Sequence, residues 1–309
     1  MVTALLGPQR LRPIVDEVLV HLGLVGHGAL VTTGWLEREP EDEEIRTRLG
    51  LDVTNLRLFG RGGDLRRDPE LATLAERRWH RVDELRRLYR RRLDHVLGAA
   101  KELLREPGEA EVVLPERQSS IAAVRELDRH FAGRLVALRA EELAAWDRHP
   151  QVERHRREVA ESVAGAAFVL LAGGHVVELL DHLRLFRLDE RLASRPVVAW
   201  SAGAMALTDL VVGFHDRPPQ GAGHAEVLDV GLGRCPGLVL LPHARRRLDL
   251  DDAHRVAILA RRLAPAACLA LDEGTWLHSD GDGWASPSSV RRLEPDGSIQ
   301  TLAAVGAAA

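Results

Sequence analysis

The stretch PVVAWSAGAMAL, Pro196 to Leu207, governs how the rest of the chain is read. Its first half is a short apolar run suited to a buried strand, and its second half turns at once into a small-residue helical pattern. Ser201 stands at the junction, followed by Ala202, Gly203 and Ala204. A serine on so sharp a turn needs small neighbours, and the helix that follows aims backbone N–H groups and its positive dipole at a developing oxyanion. This is a nucleophile-elbow pattern, matched imperfectly because Ala199 stands where the G-x-S-x-G form has its first glycine. Small residues after a strand also suit plain helix–sheet packing, so the elbow needs support from the rest of the chain.

Moving outward, AAFVLLAGGH upstream is another buried strand, ending in Gly173-Gly174 before a helix over about Val176 to Leu185. Downstream come LVVGF, GLVLLPHA, a helix over about Asp251 to Leu263, and ACLALDEGTWL. The first sixty residues alternate in the same way: VTALLG, an amphipathic stretch from about Leu11 to Leu22, GALVTTGW, an acidic stretch from Glu37 to Leu49, and the apolar run NLRLFGRG. That rhythm predicts a three-layer α/β sandwich with a mostly parallel sheet. The tail has DG turns between short alternating runs and reads as β-hairpins at a sheet edge.

Residues 68 to 162 break the rhythm. Val82, Leu85, Tyr89, Leu93, Val96, Ala100 and Leu103 fall three and four apart, as do Ile121, Val124, Phe131, Leu135 and Leu138 after a break placed at Pro107 to Pro115. Pro150 sets off a further helical piece. The chain is read as one α/β domain over 1–309 carrying a helical insertion over 68–162. Covering the site, forming a homodimer and binding a partner are three roles open to that insertion.

His243 directly follows the apolar run Gly237 to Leu241, at the C-terminal end of a strand, where open α/β sheets bind ligands. It is the expected general base. The order serine, acid, histidine along the chain is that of elbow hydrolases. Asp209, Asp216, Glu226 and Asp229 lie between them; Asp216, in a loop, is the first choice to orient the imidazole and Glu226 the runner-up. The glycine pair offers the Gly174 N–H as one oxyanion donor, with the Ala202 N–H as the other.

These residues resemble the peptidase E and cyanophycinase family of serine peptidases. The Trp-Ser-Ala-Gly-Ala core at 200–204, Gly173-Gly174, His243 and the run Asp272-Glu273-Gly274-Thr275 carry the resemblance, and Asp216, fifteen residues beyond Ser201, is spaced like the family's acid. The resemblance implies a class I glutamine amidotransferase-like fold, acyl-enzyme chemistry without metal or cofactor, and small aspartyl or β-aspartyl peptides as substrates. Arg217, Arg245, Arg246 and Arg247 are candidates to hold a substrate carboxylate, though each also suits a solvated surface. Ala199, Met205 and His175 depart from the family pattern. Ala199 and His175 keep a second reading open, a catalytically degenerate scaffold that acts through its insertion, and a third is an esterase or amidase with the same triad.

Composition narrows the field. The 309 residues carry a net charge of -4 and a pI near 6.4, which give no general attraction to nucleic acid or anionic lipid. Eight arginines against four acids between Glu76 and Asp94 are read as a solvated helix face, since aromatic residues are sparse among them. No run of about 20 uncharged apolar residues occurs and no cleavage pattern follows Met1, so a cytoplasmic location is expected. Cys235 and Cys268 sit in apolar runs as core residues. His175, Glu178 and His182 share a helix face, a chance spacing more readily than a metal site.

Overall fold

Short apolar runs, each buried along its length, become the strands. The computed structural model describes residues 1–50, 52–216 and 223–302; Arg217 lies outside them. β1 (Thr3–Leu6), β2 (Gly28–Val31), β3 (Val53–Asn55), β4 (Phe168–Leu171) and β5 (Val197–Trp200) are all parallel, in the order β1-β5-β4-β2-β3. β10 (Trp276–Ser279) closes the free edge of β1 antiparallel.

Side chains on these strands alternate between two apolar layers, as the two-residue strand period requires. Leu6, Leu30, Leu170 and Val198 face α1 (Val15–His21) through Val15, Val18 and Leu19. Leu5, Val31, Leu171 and Ala199 face the opposite layer, formed by α3 (Leu58–Leu65), α7 (Val176–Leu185), α8 (Leu188–Leu192) and α9 (Ala202–Ala206). This is the expected sandwich with a mostly parallel sheet. A short helix α2 (Glu43–Leu49) precedes β3.

The later strands form further sheets. β8 (Leu238–Pro242) runs parallel to β9 (Ala267–Leu271), β9 pairs antiparallel with β11 (Val290–Leu293), and β11 pairs antiparallel with β12 (Ile299–Leu302). β6 (Leu210–Gly213) and β7 (Glu226–Val230) pair as a separate antiparallel ribbon. α10 (Ala244–Arg247) and α11 (Ala253–Leu263) connect β8 to β9.

Between α3 and β4 the chain makes α4 (Pro69–Arg105), α5 (Ala110–Trp146) and α6 (Pro150–Ala164). Asp68 starts α4 by accepting the N–H groups of Glu70 and Leu71. α4 and α5 pack against each other, and Tyr89 stacks on Phe131 with ring centroids 4.0 Å apart. Their apolar seam extends to Val227 of β7 and Ile258 of α11. Buried polar contacts fix it there: Arg262 donates to both oxygens of Asp128 at 2.6 and 2.7 Å, and the Tyr89 hydroxyl donates to Asp128 and accepts from the Val227 N–H. Among the described residues no helix is long and apolar enough to cross a membrane.

Two local expectations change. The run NLRLFGRG is mostly helix, not strand: the extended chain stops at Asn55, whose side chain accepts from the Arg57 N–H, and Arg57 takes φ 53°. The buried Glu39 carboxylate then accepts the N–H groups of Phe59 and Gly60 at the start of α3. The helix break is also narrower than expected, since Pro115 lies inside α5.

Candidate functional site

The chain turns from β5 into α9 at Ser201, which adopts φ 52° and ψ −120°. Positive φ is uncommon for a residue with a Cβ, and here the surroundings hold it: the Ser201 N–H donates to the Leu6 carbonyl at 3.0 Å and its carbonyl accepts from the Met205 N–H at 3.1 Å. The first positions of α9 leave the Ala202 N–H outside the helical ladder. Ser201 is half-buried, and Ala202 through Ala206 are buried behind it.

The glycine pair meets this turn from β4. A Cβ on Gly173 would lie 2.9 Å from the Ser201 Cβ and 3.3 Å from its hydroxyl, so only glycine lets the serine come so close. Gly174 adopts φ 125°, and a Cβ there would lie 2.2 Å from the Gly34 carbonyl oxygen. The His175 N–H donates to that same carbonyl at 2.7 Å. The chain leaves β2 towards β3 on one side and β4 towards β5 on the other, so these loops meet at the switch point of the sheet, where open α/β folds bind ligands.

His243 follows Pro242 at the end of β8, in the left-handed conformation with φ 60°. Its N–H donates to the Leu271 carbonyl at 3.1 Å, which ties it to the end of β9. The next residues, Asp272 to Thr275, lie against β1: the Gly7 N–H donates to the Thr275 carbonyl at 2.8 Å. Backbone contacts thus join the ends of β1, β5, β8 and β9. No hydrogen bond links Ser201 to His243 in this structure; such bonds are often long before substrate binds. Burial first, and then the Arg247 charge, hold the His243 imidazolium below its ordinary pKa. Glu273, and behind it Asp272, act in the opposite direction.

The two acids expected to orient His243 are engaged elsewhere. Asp216 accepts the Asp249 N–H at 2.8 Å and pairs with Arg255 at 2.9 Å, so its carboxylate is turned to the start of α11. Glu226 is on β7, held by Arg90 of α4 at 2.6 and 2.7 Å. Among the acids, Glu273 of the Asp-Glu-Gly-Thr turn does most to favour the His243 imidazolium. Arg245 and Arg246 are exposed and pair with Asp272 and Glu273, at 3.7 and 3.5 Å. His175 caps its own helix, its Nδ1 accepting the Glu178 N–H at 3.2 Å. Among the described residues no three His, Cys, Asp or Glu side chains converge as a metal site.

A strained serine between a parallel strand and a helix N-terminus, closed on by a glycine turn, defines the class of nucleophile-elbow hydrolases. Residues 122–286 match the model of Peptidase family S51, and the chain belongs to that family. It is therefore a serine-type peptidase. No curated protein matches the chain significantly. A crystal structure of a peptidase from an acI-B1 Actinobacterium is similar over 97% of this chain and 93% of that one, at 15% identity and a TM-score of 0.48.

Proposed function

We propose that the protein is a cytoplasmic dipeptidase of the peptidase E type, cleaving small aspartyl peptides through an acyl-enzyme on Ser201. The observation that carries this reading is the backbone of Ser201, held at positive φ with Gly173 against its side chain. In the reaction, neutral His243 takes the Ser201 hydroxyl proton as Oγ attacks the amide carbonyl. The N–H groups of Gly174 and Ala202 receive the oxyanion. The tetrahedral intermediate collapses, the amine leaves with the proton from His243, and water releases the acyl group by the same steps in reverse order. Glu273 supplies the negative charge that steadies the imidazolium, in place of Asp216.

A fluorophosphonate probe tests the nucleophile without knowledge of the substrate. Labelling confined to the peptide containing Ser201 and absent from Ser201→Ala is the expected result, followed by turnover of aspartyl dipeptides. Labelling elsewhere, or equal labelling of Ser201→Ala, would refute it.

A further inference from the structure

Between the α4–α5 hairpin and α7 lies a cavity of about 520 Å³, a volume typical of small-molecule sites. α4 lines it from Ala72 to Arg86, and His175 and α7 line it as far as Leu185. His175, next in sequence to the glycine turn, therefore forms part of its wall. The cavity is built largely by the inserted helices.

Most charged groups in the wall pair with one another, Arg66 reaching Glu178 at 4.0 Å. Asp181 is fully engaged, by both terminal nitrogens of Arg78 at 2.9 and 2.7 Å and by Arg139 at 3.2 Å; Asp229 is engaged by Arg139 at 2.5 Å. These pairs hold α4 and α5 to α7 and β7. Glu142 and Arg86 are different. Among the described residues Glu142 has one ion pair, to Arg78 Nε at 3.0 Å, and burial outweighs it, pushing the carboxyl up to about 7. Arg86 makes a single 3.4 Å bond, to the Leu228 carbonyl, and its buried Nε has no partner among the described residues.

Glu142 lies at the level of Arg78, and Arg86 stands eight residues further along α4, about 12 Å at 1.5 Å per residue. An extended peptide advances roughly 3.3 Å per residue, so three or four residues span that gap. Along this stretch the wall includes Val82 and Leu135, with Trp79 next to Arg78, while Leu143 and Trp146 continue the apolar wall beyond Glu142. A half-buried acid at one place, a guanidinium with an unused Nε donor at another, and an apolar wall between them match a zwitterion with an apolar body.

We propose that this cavity binds free peptides of three or four residues, with the terminal ammonium at Glu142 and the terminal carboxylate at Arg86, at a site distinct from the Ser201 elbow. The choice of peptides among zwitterions rests on the peptidase assignment; the binding does not use Ser201. Occupancy would fill the space between the hairpin and α7, the helix that follows the glycine turn.

Calorimetry on the full-length Ser201→Ala protein tests this without hydrolysis, with Ala-Leu-Leu-Ala, its N-acetyl form and its C-terminal amide as probes. The expected result is saturable binding of the free peptide, at least tenfold weaker for each blocked form. Glu142→Gln and Arg86→Gln, checked for folding by thermal melts, should each weaken binding at least tenfold. The proposal is overturned by no binding at millimolar peptide, by equal binding of the blocked forms, or by unchanged affinity in both folded variants. None of these outcomes bears on whether Ser201 reacts with a fluorophosphonate, so the two readings fail separately.

Discussion

Replacing Gly173 by alanine probes the site through a single methyl group. The Cβ would sit 2.9 Å from the Ser201 Cβ, 3.3 Å from its hydroxyl and 3.3 Å from the Trp200 carbonyl. Ordinary carbon contact begins near 3.5 Å, so serine and methyl must separate by about 0.6 Å. Ser201 cannot yield alone, because its N–H is bound to Leu6, its carbonyl to Met205, and its φ is already positive. Gly173 itself has no positive φ, so alanine meets no backbone penalty there. A misplacement of 1 Å at a reacting group can cost on the order of 100-fold in rate, and about 0.6 Å scales to roughly 10- to 30-fold. The overpacking itself costs about 1–3 kcal/mol. The assay is the second-order rate of fluorophosphonate labelling, with a thermal melt to confirm folding. A rate within twofold of the parent in a folded variant would refute the reasoning, since Ser201 would then either not react or not lie against Gly173.

Glu273→Gln should lower peptidase activity about 100-fold or more if its charge steadies the imidazolium. Its removal takes away a negative charge that raises the His243 pKa, so the acid limb of the pH–rate profile moves to lower pH, whereas Asp216→Asn leaves that limb in place; the reverse pattern would restore Asp216 to the site. Tyr89→Phe strands the Val227 N–H and should cost about 1–3 kcal/mol, while Asp128→Asn breaks a buried pair with Arg262 and should cost about 3–5 kcal/mol, both read by urea unfolding. Cys235 and Cys268 are buried, with thiols pushed up to about 12 by desolvation, so a thiol reagent at pH 8 should modify neither until denaturant is added.

The elbow was legible because its requirements are local: a buried strand, small residues and a helix start within twelve positions. The bounds of α7 at Val176 and Leu185 were legible for the same reason, from the glycine pair before it and its apolar period. What escaped depended on distant partners. α3 begins where it does because Glu39, about twenty residues earlier, accepts the N–H groups of Phe59 and Gly60. Asp216 has the right place in chain order but finds Arg255 and the Asp249 N–H, and no local pattern announces that choice. Glu273 was visible only as part of a turn, since its effect on His243 arises where β8 and β9 end side by side.

The arginines of α4 show how far a local reading reaches. Spaced along an amphipathic helix, they read as a solvated face, and at Arg81 that is much of the truth, its pair with Glu141 being exposed. Arg78, Arg86 and Arg90 instead reach Asp181 of α7, the Leu228 carbonyl and Glu226 of β7. An apolar seam alone would let two long helices slide by a turn, because one aliphatic ridge fits another at several registers. Ion pairs do not allow this: a slip of one turn would part Arg78 from Asp181, leaving a half-buried carboxylate with less compensation. Salt screens the exposed pairs and spares the buried ones, so the register of the hairpin rests on Arg78, Arg139 and Arg262. Arg78 and Arg139 grip α7, whose first residue lies two positions after Gly174. The α4–α5 hairpin and the glycine turn that meets Ser201 thus both attach to one helix.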